Sequence, residues 1–113
     1  MSDCIFCKIV NKEMSANVVY EDDKVLCFHD IIPQAPVHAL LIPKKHIASM
    51  DDVSSEDNEL MGHIMIKVKE IAQSLGLQNG YRVVNNCGED GMQTVHHIHF
   101  HILGKRKMTW PPG

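Results

Sequence analysis

Apolar positions follow two rhythms along this chain, and the switch between them predicts its elements. Leu60, Met61, Ile64, Val68, Ile71, Ala72 and Leu75 are spaced three and four apart, the repeat of a helix with one face on a core. Ser54 or Ser55 caps that helix, and Glu56, Asp57 and Glu59 fill its first turn, where acidic groups suit the macrodipole. Gly76 stands where a left-handed C-terminal residue is expected. Shorter runs rich in Val, Tyr and Phe read as strands at 17–21 and 24–29, joined through Asp22-Asp23 as a hairpin. A third strand spans 37–42 and stops at Pro43, after a loop bracketed by Pro33 and Pro36, since proline resists a central strand. A fourth covers 81–86, and residues 5–10 form a short helix ending near Asn11. The order predicts one α+β domain over 1–113, a five-stranded antiparallel sheet with one long helix and a short N-terminal helix.

The fifth strand carries the chemistry. In His96-His97-Ile98-His99-Phe100-His101-Ile102-Leu103, strand alternation puts His97, His99 and His101 on one side and Ile98, Phe100 and Ile102 on the core side. Each imidazole carries a donor and an acceptor that burial must satisfy, so a row of three is a poor core. The row suits metal binding, proton transfer or attack on phosphorus.

Composition narrows the partners. Hydrophobic residues make up 44% and charged residues 22%, with a formal net charge of -3 and no dense Lys/Arg block. Nucleic acid and anionic membrane are therefore not the expected partners. No apolar run is long enough for a bilayer, and Met1-Ser2-Asp3-Cys4 lacks a signal peptide's basic and apolar regions, so cytoplasmic residence is expected. Of the four cysteines, Cys27 lies in an apolar run as a small buried hydrophobe, and Cys87 precedes Gly88 in a turn. Cys4-x-x-Cys7 suggests zinc or redox chemistry, yet no βαβ pattern surrounds it and no local His-x₃₋₅-His completes it. Two reduced thiols without metal is the plain alternative.

The segment from Gln93 to Leu103 resembles the histidine triad family of nucleotide-binding proteins, named for His-φ-His-φ-His-φ-φ with φ apolar. Phe28-His29-Asp30-Ile31, Pro33-Gln34-Ala35-Pro36, Ile42-Pro43-Lys44-Lys45-His46, Tyr81-Arg82-Val83-Val84-Asn85-Asn86 and Met108-Thr109-Trp110-Pro111-Pro112-Gly113 look like its nucleoside phosphoramidase branch. The resemblance implies hydrolysis of a purine nucleoside monophosphate joined through phosphorus to an amine. His99 would attack the phosphorus and carry the nucleotide covalently, and His101 and Thr94 would donate to phosphate oxygens or the leaving group. His38 would lie behind the nucleophile and orient it. Ile5, Phe6, Ile9, Phe28, Ile31 and Leu40 would hold the base, though plain core packing suits some of them. Asp30 would bind the ribose, Asn86 and Gln93 would contact the nucleotide, and Lys44 and Lys45 would steer phosphate. Some bacterial members bind a structural zinc at positions matching Cys4, Cys7, His46 and His97. A homodimer is implied, with Trp110 reaching toward the partner's site. His96 departs from the family pattern, where tyrosine is frequent, and reads as a strand-edge residue. Met92 replaces a small residue. Two other readings fit the resemblance: a nucleotide-binding scaffold with little turnover, and a dinucleoside polyphosphate hydrolase.

Overall fold

Side-chain alternation along the strands decides which face of the sheet each residue serves. The computed structural model describes residues 3–113. The chain runs α1 (Ile5–Val10), β1 (Val18–Glu21), β2 (Val25–His29), β3 (Val37–Pro43), α2 (Asn58–Ser74), β4 (Tyr81–Val84) and β5 (Phe100–Gly104). The strands form one sheet in the order β1-β2-β3-β5-β4, every neighbouring pair antiparallel. This is the α+β architecture that the patterning predicts.

On one face Val25, Cys27, Ala39, Leu41, Phe100 and Ile102 meet Ile64, Val68, Ile71 and Ala72 of α2. On the other, Leu26, Phe28, Leu40 and Ile42 meet Phe6 and Ile9 of α1. The same alternation puts His101 on the α1 face, opposite Leu40 in the β3–β5 register. Chemistry and the short helix therefore share a side, while the long helix builds the larger core behind them.

Local signals end the elements where expected. Ser54 caps the turn that leads into α2: its hydroxyl accepts from Glu56 N–H at 3.3 Å, and Asp57 Oδ2 accepts from Ser54 N–H at 3.0 Å. Gly76 follows α2 at φ +79°, a conformation that costs glycine little. The β1–β2 hairpin closes on Asp22, whose Oδ1 accepts from Lys24 N–H at 2.8 Å and Val25 N–H at 2.9 Å. Its Oδ2 accepts from Tyr20 Oη–H at 2.7 Å and lies 2.7 Å from His63 Nε2 of α2, tying hairpin to helix. Partial burial opposes ionisation of Asp22, but these bonds outweigh it and hold the carboxyl well below the usual range.

Two strands differ from their sequence reading. β4 stops at Val84 rather than Asn86, because Asn85 turns its amide to the His99 carbonyl at 2.9 Å. β5 starts only at Phe100, which pairs with Leu41 of β3. Before it, Ile98 N–H donates to the Ile47 carbonyl at 2.7 Å, outside the sheet. His97 and His99 therefore precede the strand, and exposed His96 is not a strand-edge residue. Among the described residues no helix is long and apolar enough to cross a membrane.

Candidate active site

Because β5 begins at Phe100, the three histidines do not form one even row. His97 is fully buried, and its Nε2–H donates to the Pro43 carbonyl at 2.8 Å. A carbonyl only accepts, so the lone pair of neutral His97 is on Nδ1. That atom lies 3.1 Å from His46 Nδ1, 3.3 Å from Cys4 Sγ and 3.6 Å from Cys7 Sγ, with Cys7 Sγ 3.3 Å from His46 Nδ1. All four ligand atoms fall within 4.8 Å of one another, a group that could hold a metal ion. Burial lowers the pKa of His97, keeping a lone pair available, and raises that of the Cys7 thiol, reinforced by its hydrogen bond to Cys4. A bound cation would reverse the thiol's preference. Cys7 N–H also donates to Cys4 Sγ at 3.3 Å, an orientation that suits a thiolate.

His99 turns the other way. Its Nδ1–H donates to the His97 carbonyl at 2.8 Å, which leaves the lone pair on Nε2. The ring stands edge-on to Phe6, with centroids 5.1 Å apart at 88°. Phe6 also meets His97 at 5.9 Å, so one buried aromatic separates the metal-type cluster from the second histidine. Asn85, which the sequence reading passed over in favour of Asn86, holds the His99 carbonyl.

His38 lies behind His101 and not behind His99, which corrects its expected place. Gln34 N–H donates to His38 Nδ1 at 3.0 Å, so neutral His38 carries its proton on Nε2. That proton is donated to His101 Nδ1 at 2.8 Å, and neutral His101 must then carry its own on Nε2. His101 Nε2 is buried with no partner among the described residues. An unsatisfied buried donor is costly and calls for an explanation. Burial lowers the pKa of both rings, that of His101 to about 4 with help from the neighbouring His99 and His38, so both are neutral near pH 7. Asp30 Oδ2, 3.5 Å from His38 Nε2, acts against this for His38 without overcoming it.

His99 and His101, with ring centroids 5.0 Å apart, share the wall of a cavity of about 270 Å³. Phe6, Ile9, Phe28 and Leu40 give it an apolar floor, and Ile5, Asp30, Ile31 and Thr94 its rim. Ile31 is 92% exposed and contributes no core packing. Asp30 Oδ1 accepts from Ile32 N–H at 2.8 Å. Met14, Ser15, Ala16 and Asn17 also line the cavity; their polar or isolated character gave no signal in the sequence.

Four expected contacts are not brought to it. Asn86 does not line the cavity. Gln93 instead organises its loop, donating to the Ala48 and Val95 carbonyls at 2.7 and 3.0 Å and accepting from Gly88 N–H. Lys44 pairs with Glu21 at 2.7 Å and Lys45 with Asp57 at 2.6 Å, so both cations are engaged elsewhere.

One cavity thus brings together an imidazole with a free Nε2 lone pair, a second imidazole offering an orphaned donor, and an apolar slot beside a carboxylate. The HIT domain family model matches residues 11–108. The chain belongs to the HIT family. It is 51% identical over 111 residues to an uncharacterized HIT-like protein of Synechococcus elongatus, covering 98% of this chain and 97% of that one. A HIT family hydrolase from Legionella pneumophila superposes with a TM-score of 0.96 at 54% identity, covering 98% of this chain and all of that one. A histidine triad protein from Clostridium difficile gives 0.93 at 47%, with 96% of each chain covered. In this HIT protein, then, the triad divides between two adjoining places: His97 in the Cys/His cluster, His99 and His101 on the cavity.

Proposed function

We propose that this HIT protein is a hydrolase of purine nucleoside phosphoramidates that carries the nucleotide on His99. The supporting observation is the pairing of tautomers: a lone pair on His99 Nε2 and an unpartnered proton on His101 Nε2, both rings on one cavity. A nucleotide-binding scaffold needs no such pair. His99 attacks the α-phosphorus, the phosphorus–nitrogen bond breaks, and the amine departs. His101 Nε2–H and the Thr94 hydroxyl donate to the phosphoryl oxygens or to the leaving nitrogen, where charge develops. Water then attacks the same phosphorus and frees His99. The purine lies between Phe6, Phe28, Ile9 and Leu40, and the ribose hydroxyls meet the Asp30 carboxylate.

Zinc is the metal that the second cluster suits. Tetrahedral zinc with two thiolates and two imidazoles sets sulfur–nitrogen edges of about 3.5 Å and a nitrogen–nitrogen edge of about 3.3 Å. The observed edges, 3.3 to 3.6 Å and 3.1 Å, come close to both. With Cys4, Cys7, His46 and His97 as its four protein ligands such a site would be closed, and its role would be structural, tying α1 to His46 and His97. Bound there, the ion supplies charge that keeps both thiols ionised.

The working unit is a homodimer. Exposed Trp110 (81%), with Met65 and Ile66 on α2 and Tyr81 and Val83 on the edge strand β4, gives the protomer apolar surface suited to a second copy. Trp110 would reach the partner's cavity. The four cysteines are unpaired, which agrees with a reducing compartment such as the cytoplasm.

Steady-state turnover of an adenosine phosphoramidate, beside diadenosine tetraphosphate and with His99→Ala as control, tests the reading. The phosphoramidate should be strongly preferred and the variant inert. Preference for the dinucleotide moves the protein to the other hydrolase class, and binding without turnover makes it a scaffold.

A further inference from the structure

The hydrogen-bonded chain behind His101 does not end at His38. Two neutral imidazoles joined by one N–H···N bond can run it in either direction. If His38 donates, His101 shows the cavity a donor; if His101 donates, it shows a bare lone pair. The Gln34 N–H on His38 Nδ1 breaks that degeneracy, since it leaves His38 only Nε2 for its own proton.

Gln34 lies in the loop between Asp30 and His38, closed by Asp30 N–H donating to the His38 carbonyl at 2.9 Å. The Gln34 side chain donates to the Ile32 carbonyl at 3.1 Å, which secures the near side. The far side is secured from beyond the end of β5, where Arg106 Nε–H donates to the Gln34 carbonyl at 3.0 Å. A guanidinium makes a stronger, more directional bond to a carbonyl than a neutral donor does.

We propose that Arg106 is a positioning residue for the reaction: by holding the Gln34 backbone it keeps the Gln34 N–H on His38, and so keeps the proton of His101 on Nε2, facing the substrate. That this proton serves a phosphoryl compound rests on the function proposed above; the direction of the chain does not. Asp30 Oδ2, 3.5 Å from His38 Nε2, favours the same direction. Loss of Arg106 therefore weakens the bias without abolishing it.

Long-range nitrogen-15 NMR on the full-length protein with labelled histidine reads each tautomer directly, alongside kinetics on an adenosine phosphoramidate. In the wild type, His101 should be protonated on Nε2 and bare on Nδ1. In Arg106→Ala, His101 should shift toward the Nδ1–H form. Its kcat should fall roughly three- to tenfold, the scale of one hydrogen bond, with KM and adenosine monophosphate affinity within about twofold. Arg106→Lys should restore most of both. A merely structural arginine would lower the melting temperature and the affinity together and leave the tautomer alone, and that result overturns the proposal. So does wild-type His101 protonated on Nδ1. If the wild type turns over no phosphoramidate, the proposed function falls, and the tautomer comparison alone still decides the role of Arg106.

Discussion

Replacing Phe6 by alanine tests how the two sites share a wall. Phe6 is 6% exposed and meets Phe28, His97 and His99 edge-on at 5.5, 5.9 and 5.1 Å. A buried Phe→Ala change costs about 3–5 kcal/mol through lost transfer energy and the cavity left behind. For a chain of this length roughly 4 °C of melting temperature goes with each kcal/mol, so the expected drop is about 12–20 °C. Phe6→Leu keeps most of the volume and loses the edge-on pairing with Phe28, worth about 0.5–1.5 kcal/mol, so it should melt only about 2–6 °C lower. Both variants should be compared at one protein concentration and one metal content, because partner and metal binding move the midpoint. Calorimetry with adenosine monophosphate completes the assay: alanine should weaken binding about tenfold or more by removing the floor under the base, and leucine by less. A Phe6→Ala protein melting within about 3 °C of the wild type would refute the claim that this ring supports both sites.

Metal analysis should find about one zinc per chain, and Cys7→Ala should lose it and melt lower, because metal held only by the folded state adds to stability. Metal-free protein of unchanged stability counts against the zinc site. Stability should also fall as pH drops from near 6.5 toward about 4. Buried His38 and His101 have lowered pKa values, so over that window the unfolded chain takes up protons that the folded chain refuses. Urea midpoints at several pH values check this, and His101→Gln should flatten the slope. Deleting the chain from Trp110 onward should change selectivity among leaving amines more than base preference, with the dimer itself checked by light scattering; unaltered selectivity would defeat a tail that acts in trans.

Much of the fold was legible because it is written in periodicity. Leu60, Ile64, Val68 and Ile71 follow one helix face, and β3 reads as an apolar run from Ala39 up to Pro43, so the central strand came out nearly to the residue; the long helix itself starts only at Asn58, after a separate turn that Ser54 caps. The site was legible in its membership and less so in its geometry. Alternation put His101 on the face opposite Phe100 and Ile102 correctly, but it cannot say where a strand begins. The start at Phe100 is set by pairing with Leu41 across the sheet, and it releases His97 to turn toward Cys4 and Cys7. His38 on His101, and Asn85 in place of Asn86, are likewise tertiary facts. Each depends on a hydrogen bond between residues 14 or more positions apart, for which a single sequence carries no local signal.

Trapping the covalent nucleotide under alkaline conditions is the direct test of His99 as nucleophile. Wild-type protein would be mixed with a phosphoramidate labelled in the nucleotide, denatured in base to preserve phosphorus–nitrogen bonds, digested, and read by mass spectrometry. Nucleotide should be found on His99 and be absent from His99→Ala, whose affinity for adenosine monophosphate should stay near that of the wild type. Label on His101 or on no residue, in an enzyme that turns the substrate over, would contradict it.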